Sequence, residues 1–279
     1  VINNYDKSAT WFNTLNYAKT MGLHELNVLV GTEAVTTYSF GYSASRSNFS
    51  FDDLDYRYLN SGSAAGLANA GDGAILSALF SQFGKVNYGY KDIYLADFTL
   101  RRDGSSRFSE AYRYGVFPAF SLGVRMSEYE FMKDLKFVND LKLRFGWGKT
   151  GNQLIPNVYN AYTLYAADPS NNAYDINGTG SSIVGGFDLV QFGNTNGKWE
   201  TTTSTNIGLD AVLLNNKMEL VLDVYNRVTS DMLTQIAIPR TAGTGSIPFT
   251  NIGEVQNKGI DLGINFRDKV GDFRYQVGL

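Results

Sequence analysis

No cysteine occurs in the sequence, and only one histidine and five prolines among 279 residues. Without cysteine there are no disulfides, no thiolate nucleophile and no cysteine-bound zinc. A lone histidine, His24, has no partner at ligand spacing, so it carries no metal site by itself. No run approaches the roughly 18 apolar residues of a membrane-spanning helix, and the mean hydropathy is −0.20. This excludes a helical membrane protein but not a β-barrel, whose inner face is polar. The net charge is −3 and the pI about 5.3, with no arginine-rich run, which excludes a nucleic-acid surface. The opening Val1-Ile2-Asn3-Asn4-Tyr5 is neither basic nor followed by an apolar core, so it is no export signal. The expectation is a mature, processed or partial chain.

What is abundant is aromatic and small. With 18 Tyr, 18 Phe and 29 Gly, and little helical periodicity, the chain reads as all-β. The stretch from 90 to 149 sets the pattern. Tyr94, Ala96, Phe98 and Leu100 alternate with Leu95, Asp97, Thr99 and Arg101. Leu141, Leu143, Phe145 and Trp147 alternate with Lys142, Arg144, Gly146 and Gly148. Side chains of a strand point to opposite faces with period two, so each strand has one apolar and one polar or small face.

The same reading predicts about ten strands, near 8–20, 24–40, 74–90, 93–103, 115–127, 139–149, 201–213, 217–229, 256–268 and 271–279. Connections alternate short and long, as in outer-membrane barrels. Turns near 21–23, 91–92, 128–138, 214–216 and 268–271 are expected at the periplasmic rim, the 128–138 segment holding a short helix. Loops near 41–73, 103–114, 150–200 and 230–255 are expected to face outward.

Several segments are distinctive together: "LRRDGSSRF" (100–108), "FPAFSLG" (117–123) and "LKLRFGWGKTGNQ" (141–153). "KWETTTSTNIGLD" (198–210), "YNRVTSDML" (225–233) and "NIGEVQNKGIDLGINF" (251–266) follow in order. In their order and spacing they resemble the barrel of the SusC/RagA family of TonB-dependent outer-membrane transporters, over roughly residues 24 to 279. The resemblance implies an antiparallel transmembrane β-barrel of roughly 22 strands, of which this chain would supply about ten as part of a single barrel domain. The N-terminal plug, the TonB-contacting segment and the terminal strand would lie outside it. It implies import of oligosaccharides or peptides across the outer membrane of a Gram-negative bacterium, no enzymatic reaction and no cofactor. A SusD-like lipoprotein would close over the barrel, TonB would pull on the plug, and outer-membrane lipid would surround the strands. A soluble or surface all-β glycan-binding protein is the alternative from another class, and a β-rich glycosidase the third.

Individual motifs have plain readings. Asp103-Gly104-Ser105-Ser106 has no nucleophile elbow and reads as a turn whose side chains bond the local backbone. His24 reads as a rim residue. The oxygen-rich segment with Asp168, Asp175 and Asn177 does not match a twelve-residue calcium loop and reads as a solvated loop, and its Asn177-Gly178-Thr179 sequon as a chance match. Asp52, Asp53 and Asp55 read as an acidic loop rather than a glycosidase pair. The candidate ligand contacts are loop tyrosines, Tyr56, Tyr58, Tyr159, Tyr162, Tyr165 and Tyr174, whose flat faces and hydroxyls suit sugars or peptides. Phe98, Phe145, Trp147 and Phe266, on the apolar face, are expected against lipid or in the aromatic girdle at its edge. Asp97, Arg101, Lys142, Arg144, Asp210, Asp223, Asp261 and Arg267 are expected to face the lumen, where the resemblance places a plug.

Overall fold

A computed structural model describes residues 2–279 apart from 52, 67, 72–74, 168–172, 176, 179, 181 and 182. Asp52, Asp168 and Thr179 therefore lie outside the described residues. Ten long strands form one antiparallel sheet: β1 (Ile2–Met21), β2 (His24–Ser45), β3 (Ile75–Tyr90), β4 (Tyr94–Ser105), β5 (Tyr114–Arg125), β6 (Val138–Asn152), β7 (Glu200–Leu213), β8 (Met218–Ser230), β9 (Glu254–Val270) and β10 (Phe273–Gly278). Their order in the sheet is their order in the chain, and among the described residues β1 and β10 do not pair with each other. Such a meander needs only neighbour-to-neighbour hairpins.

The two ends of the sheet are built differently. At one end the connections are tight and use left-handed backbone: Gly22 at φ +61°, Lys91 and Asp92 at 55° and 58°, Leu214, Asn215 and Asn216 at 56°, 58° and 64°, and Gly271 at 60°. Positive φ matches the twist of the flanking strands in a tight hairpin. The longer connection at this end carries a 3-10 turn at Met126–Glu128 and one helical turn at Glu130–Lys133. At the other end the strands outrun their apolar alternation. β1 begins at Ile2, β2 continues to Ser45, and Ala68–Gly71 pairs with Tyr42–Ser45 inside what reads in sequence as unstructured loop. β4 runs to Ser105, so Asp103 and Gly104 belong to a strand rather than to the loop expected from 103. The segment between β6 and β7 holds two small hairpins, Leu164–Ala166 with Asp188–Gln191 and Ala173–Asp175 with Ile183–Gly185.

The register sorts side chains into two faces. One row reads Tyr17, Val28, Val86, Phe98, Phe120, Trp147, and another reads Leu122, Phe145, Ile207, Val224, Ile260. Much of this face stays open: Phe98 is 49 % exposed, Ile207 58 % and Ile260 69 %. Water-soluble monomers rarely leave an apolar surface of that continuity uncovered. A row of Met21, His24, Tyr90, Tyr94 and Val124 lies near the tight-turn end, and a row of Trp11, Ala34, Phe80, Gly104 and Tyr114 near the loop end. On β4 the two rows are ten residues apart, or about 24 Å of height for strands tilted about 45°, close to the apolar band of a membrane barrel. The opposite face carries Asn27, Asn87, Asp97, Ser121, Gly146 and Asn206 in one row. Among the described residues a compact apolar core forms at the loop end, where Phe108, Phe117, Ile155 and Trp199 are buried together on this polar side.

Candidate functional site: a charged wall beneath a loop shelf

All eight charged residues singled out in the sequence project from the polar face, and two of them organise it. Arg144 on β6 donates from Nε and Nη2 to both oxygens of Asp210 on β7, at 2.7 and 2.8 Å. Its Nη2 also reaches Asp223 on β8 at 3.1 and 3.2 Å. The guanidinium crosses Gly208 to do so: a Cβ there would meet Arg144 Cζ at 2.7 Å and Asp223 Oδ1 at 2.6 Å. Bidentate pairing of this kind fixes direction as well as charge. Gly208 is thus part of the bridge, although a glycine in a strand gives no such signal in sequence.

Arg101 forms a second cluster. Its Nε donates to both oxygens of Asp103 at 2.8 and 2.9 Å, and its Nη2 to Ser81 at 2.9 Å and Glu33 at 3.2 Å. Asp103 therefore serves the Arg101 guanidinium, which corrects its reading as a turn residue bonding local backbone. Asp97 accepts from Asn87 and, at 3.1 Å, from Ser121. Arg267 pairs with Glu219 at 2.9 Å beside the Asn216 carbonyl, at the tight-turn rim. Lys142 stands opposite Asp210, and Asp261 opposite Asp223; neither side chain makes a hydrogen bond or ion pair among the described residues. The wall joins Arg144, Asp210 and Asp223 into one unit and leaves Asp97, Arg101 and Arg267 in separate ones.

Above the wall, the loops fold onto the strand ends. Phe108 and Phe117 pack against Trp199 with ring centroids 5.4 and 5.3 Å apart, and the indole Nε1 donates to the Arg113 carbonyl at 3.0 Å. Arg107 donates to the carbonyl of fully buried Ile155, and burial pulls its guanidinium below its ordinary pKa. Two loops are then stitched together. Asn160, almost fully buried, accepts from the Phe249 backbone N–H at 2.7 Å and donates to its carbonyl at 3.0 Å. Asn194 donates to the same carbonyl at 2.9 Å. Gln191 donates to the carbonyls of Tyr159 and Tyr162 at 2.8 and 2.9 Å, while its own oxygen accepts from Asn157. These amides bond loop backbone groups that no strand ladder of the large sheet serves. None of these residues stands out in the sequence; the one available signal is the asparagine richness of the 150–200 segment.

The six candidate tyrosines are divided among separate pieces of this end. Tyr56 and Tyr58 are exposed in the β2–β3 loop, with Tyr56 against Phe51 at 6.0 Å. Tyr159 is half-buried in the shelf and Tyr162 is exposed on it. Tyr165 and Tyr174 are exposed on the two different small hairpins. His24 bonds the Tyr88 hydroxyl at 2.7 Å at the tight-turn rim. Asp175 accepts backbone N–H groups of Asn177 and Gly180, and Asp53 that of Asp55, so both carboxylates close local turns. Among the described residues no three His, Cys, Asp or Glu side chains gather as a metal site.

The sequence matches the family described as TonB dependent receptor-like, beta-barrel, over residues 2–279. It is 34 % identical over 264 residues to the TonB-dependent receptor SusC of Bacteroides thetaiotaomicron, covering 94 % of this chain and 25 % of that protein. It is also 34 % identical over 256 residues to the TonB-dependent receptor P3 of Formosa agariphila, covering 92 % of this chain and 24 % of that protein. The chain thus spans about a quarter of the length of these relatives. The structure superposes on that of the RagAB peptide transporter with a TM-score of 0.85 and 25 % identity, covering 99 % of this chain and 30 % of that one. The siderophore receptor PirA of Pseudomonas aeruginosa shares the fold at a TM-score of 0.53 and 16 % identity.

Proposed function

Because this chain belongs to the TonB-dependent receptor β-barrel family, a family of transporters and receptors of the Gram-negative outer membrane, we propose that it is a wall segment of an importer of the SusC/RagA type. The protein carries oligosaccharides or peptides across the outer membrane. A SusD-like lipoprotein closes over the long-loop end, and TonB acts through a plug seated against the charged face. The eight charged residues from Asp97 to Arg267 then line the lumen, and Phe98, Phe145, Trp147 and Phe266 meet lipid. The loop tyrosines, above all exposed Tyr162, Tyr165 and Tyr174, offer flat faces to the cargo.

The observation that carries this reading is the division of one sheet into an open apolar band and a face of bridged charges roofed by ordered loops. A solute passing such a wall meets polar groups most of which are already paired with each other, Lys142 and Asp261 excepted, so that it is held weakly enough to be released. Among the relatives, RagAB is described as a peptide transporter, which favours peptides among the cargoes to try first. The test is uptake by cells of the native strain, with the intact protein present or deleted, offered labelled peptide pools and labelled oligosaccharide pools. Uptake of one pool that requires both the protein and TonB, with a lipoprotein co-purifying from the detergent-solubilised membrane, is the expected result. Uptake unchanged by deletion, or a protein recovered from the aqueous fraction, would overturn it in favour of a soluble glycan binder.

A further inference from the structure

The apolar face is not uniform. On strands β1 to β4 it is indented by a groove of about 630 Å³. Its apolar part is lined by Leu15, Val30 and Leu100, and it deepens at Gly84, where the row Leu15, Val30, Gly84, Leu100 lacks one side chain. The next row toward the long loops is polar: Asn13, Thr32, Gln82 and Arg102. Arg102 is exposed, donates to the Gln82 side-chain oxygen at 3.0 Å and lies over the Tyr114 ring at 3.8 Å. It makes no ion pair with a carboxylate among the described residues. Arg101, one residue earlier and on the other face, is fully engaged by Asp103 and Glu33.

An arginine facing a bilayer without a counter-charge is costly unless its head reaches the headgroup layer. Arg102 stands eight residues above Tyr94 on a band about ten residues high, so its backbone lies about 5 Å inside the loop-side edge; its guanidinium, lying over the ring of Tyr114 in the edge row, reaches up to that edge and the headgroups beyond it. There it presents a fixed cation, held by the Tyr114 ring, directly above an apolar slot. We infer that this groove binds one phosphate-bearing lipid of the outer leaflet, with an acyl chain laid across Gly84 and the phosphate on the Arg102 guanidinium. Guanidinium and phosphate match in charge and in forked geometry. A lipid seated here would brace β1 to β4 from the outside, behind the Arg101 cluster on the inside. The inference rests on the long loops facing outward, as proposed above.

The test uses the intact protein extracted from the outer membrane in mild detergent. Native mass spectrometry counts retained lipid after titration with monophosphoryl lipid A, or with the same lipid after phosphatase treatment. The wild type should prefer the phosphorylated form by about tenfold, the scale of a charge-assisted contact. Arg102→Gln should remove that preference and Arg102→Lys should keep part of it. Gly84→Leu fills the slot with room to spare, since a Cβ there meets nothing nearer than 3.8 Å; it should weaken both lipid forms by a similar factor. Equal binding of the two forms by the wild type, or binding unaltered in Arg102→Gln and Gly84→Leu, would overturn the lipid site alone. In parallel, the Tyr165→Cys variant is labelled on intact cells by an impermeant maleimide. Labelling fits the outward orientation; failure to label unless the cells are opened would overturn the orientation and the outer-leaflet site together.

Discussion

The two ends of this sheet solve the same problem, reversing the chain between antiparallel strands, by opposite means. At the tight-turn end a few residues do it locally. Gly22 and Gly271 take left-handed backbone at no steric cost, and Lys91-Asp92 and Leu214-Asn215-Asn216 take it against their own side chains. At the loop end the reversals are long and are held by partners far away in sequence. Asn160 bonds Phe249 across 89 residues, and Trp199 bonds Arg113 across 86. The difference suits an outer-membrane barrel, which has short turns at one rim and longer loops at the other. It also means that damage at the two ends should differ in size and in reach.

The largest effect is expected at the loop end. Trp199→Ala removes the ring that joins Phe108 and Phe117 and should cost about 3–5 kcal/mol, read as unfolding of the intact protein by urea in lipid vesicles. Hydrogen exchange should rise both at 105–113 and around Ile155; a change confined to residue 199 and its neighbours would break the idea of a shared core. Between the ends, Phe98→Arg puts a charge against the mid-band and should cost about 2–4 kcal/mol. Thr99→Arg, one residue on and facing the polar side, should cost much less; equal losses would refute the assignment of faces.

Asn160→Ala leaves the Phe249 amide without its partner and should cost about 1–3 kcal/mol, with faster exchange at Phe249 itself. The smallest effects belong to the tight turns. Gly22→Ala meets no atom within 4 Å, so its cost is the backbone penalty alone, about 1 kcal/mol. Leu214→Gly should go the other way, gaining up to about 1 kcal/mol by relieving Leu214 at φ +56°. Neither should alter exchange at the loop end.

Much of the architecture is legible in the sequence. Ten strands were expected and ten long strands form the sheet, with Tyr94 to Leu100 and Leu141 to Trp147 alternating as read. The apolar face could be read because a strand's period is written in each strand separately. Boundaries were missed where strands leave the apolar band: residues 2–7 are paired without apolar alternation, and 41–45 are paired although Gly41, Ser43 and Ser45, around Tyr42 and Ala44, read as loop. The charged residues of the polar face could be named, but not their partners. Arg144 and Asp223 lie 79 residues apart, and nothing in either segment indicates that Gly208 between them must stay bare. The loop shelf was the least legible. Phe108 fell in the loop expected to face outward, yet it is among the most buried of the described residues.

The sequence by itself determined that this chain is a membrane-type antiparallel sheet with one apolar and one polar face, because alternation, turn residues and family motifs are all local. Only the tertiary structure decided which charges bridge, which loops join and where the apolar face is grooved. Those depend on side chains brought to within hydrogen-bonding or van der Waals distance by register and by loop closure, over separations at which the chain's local order carries no information.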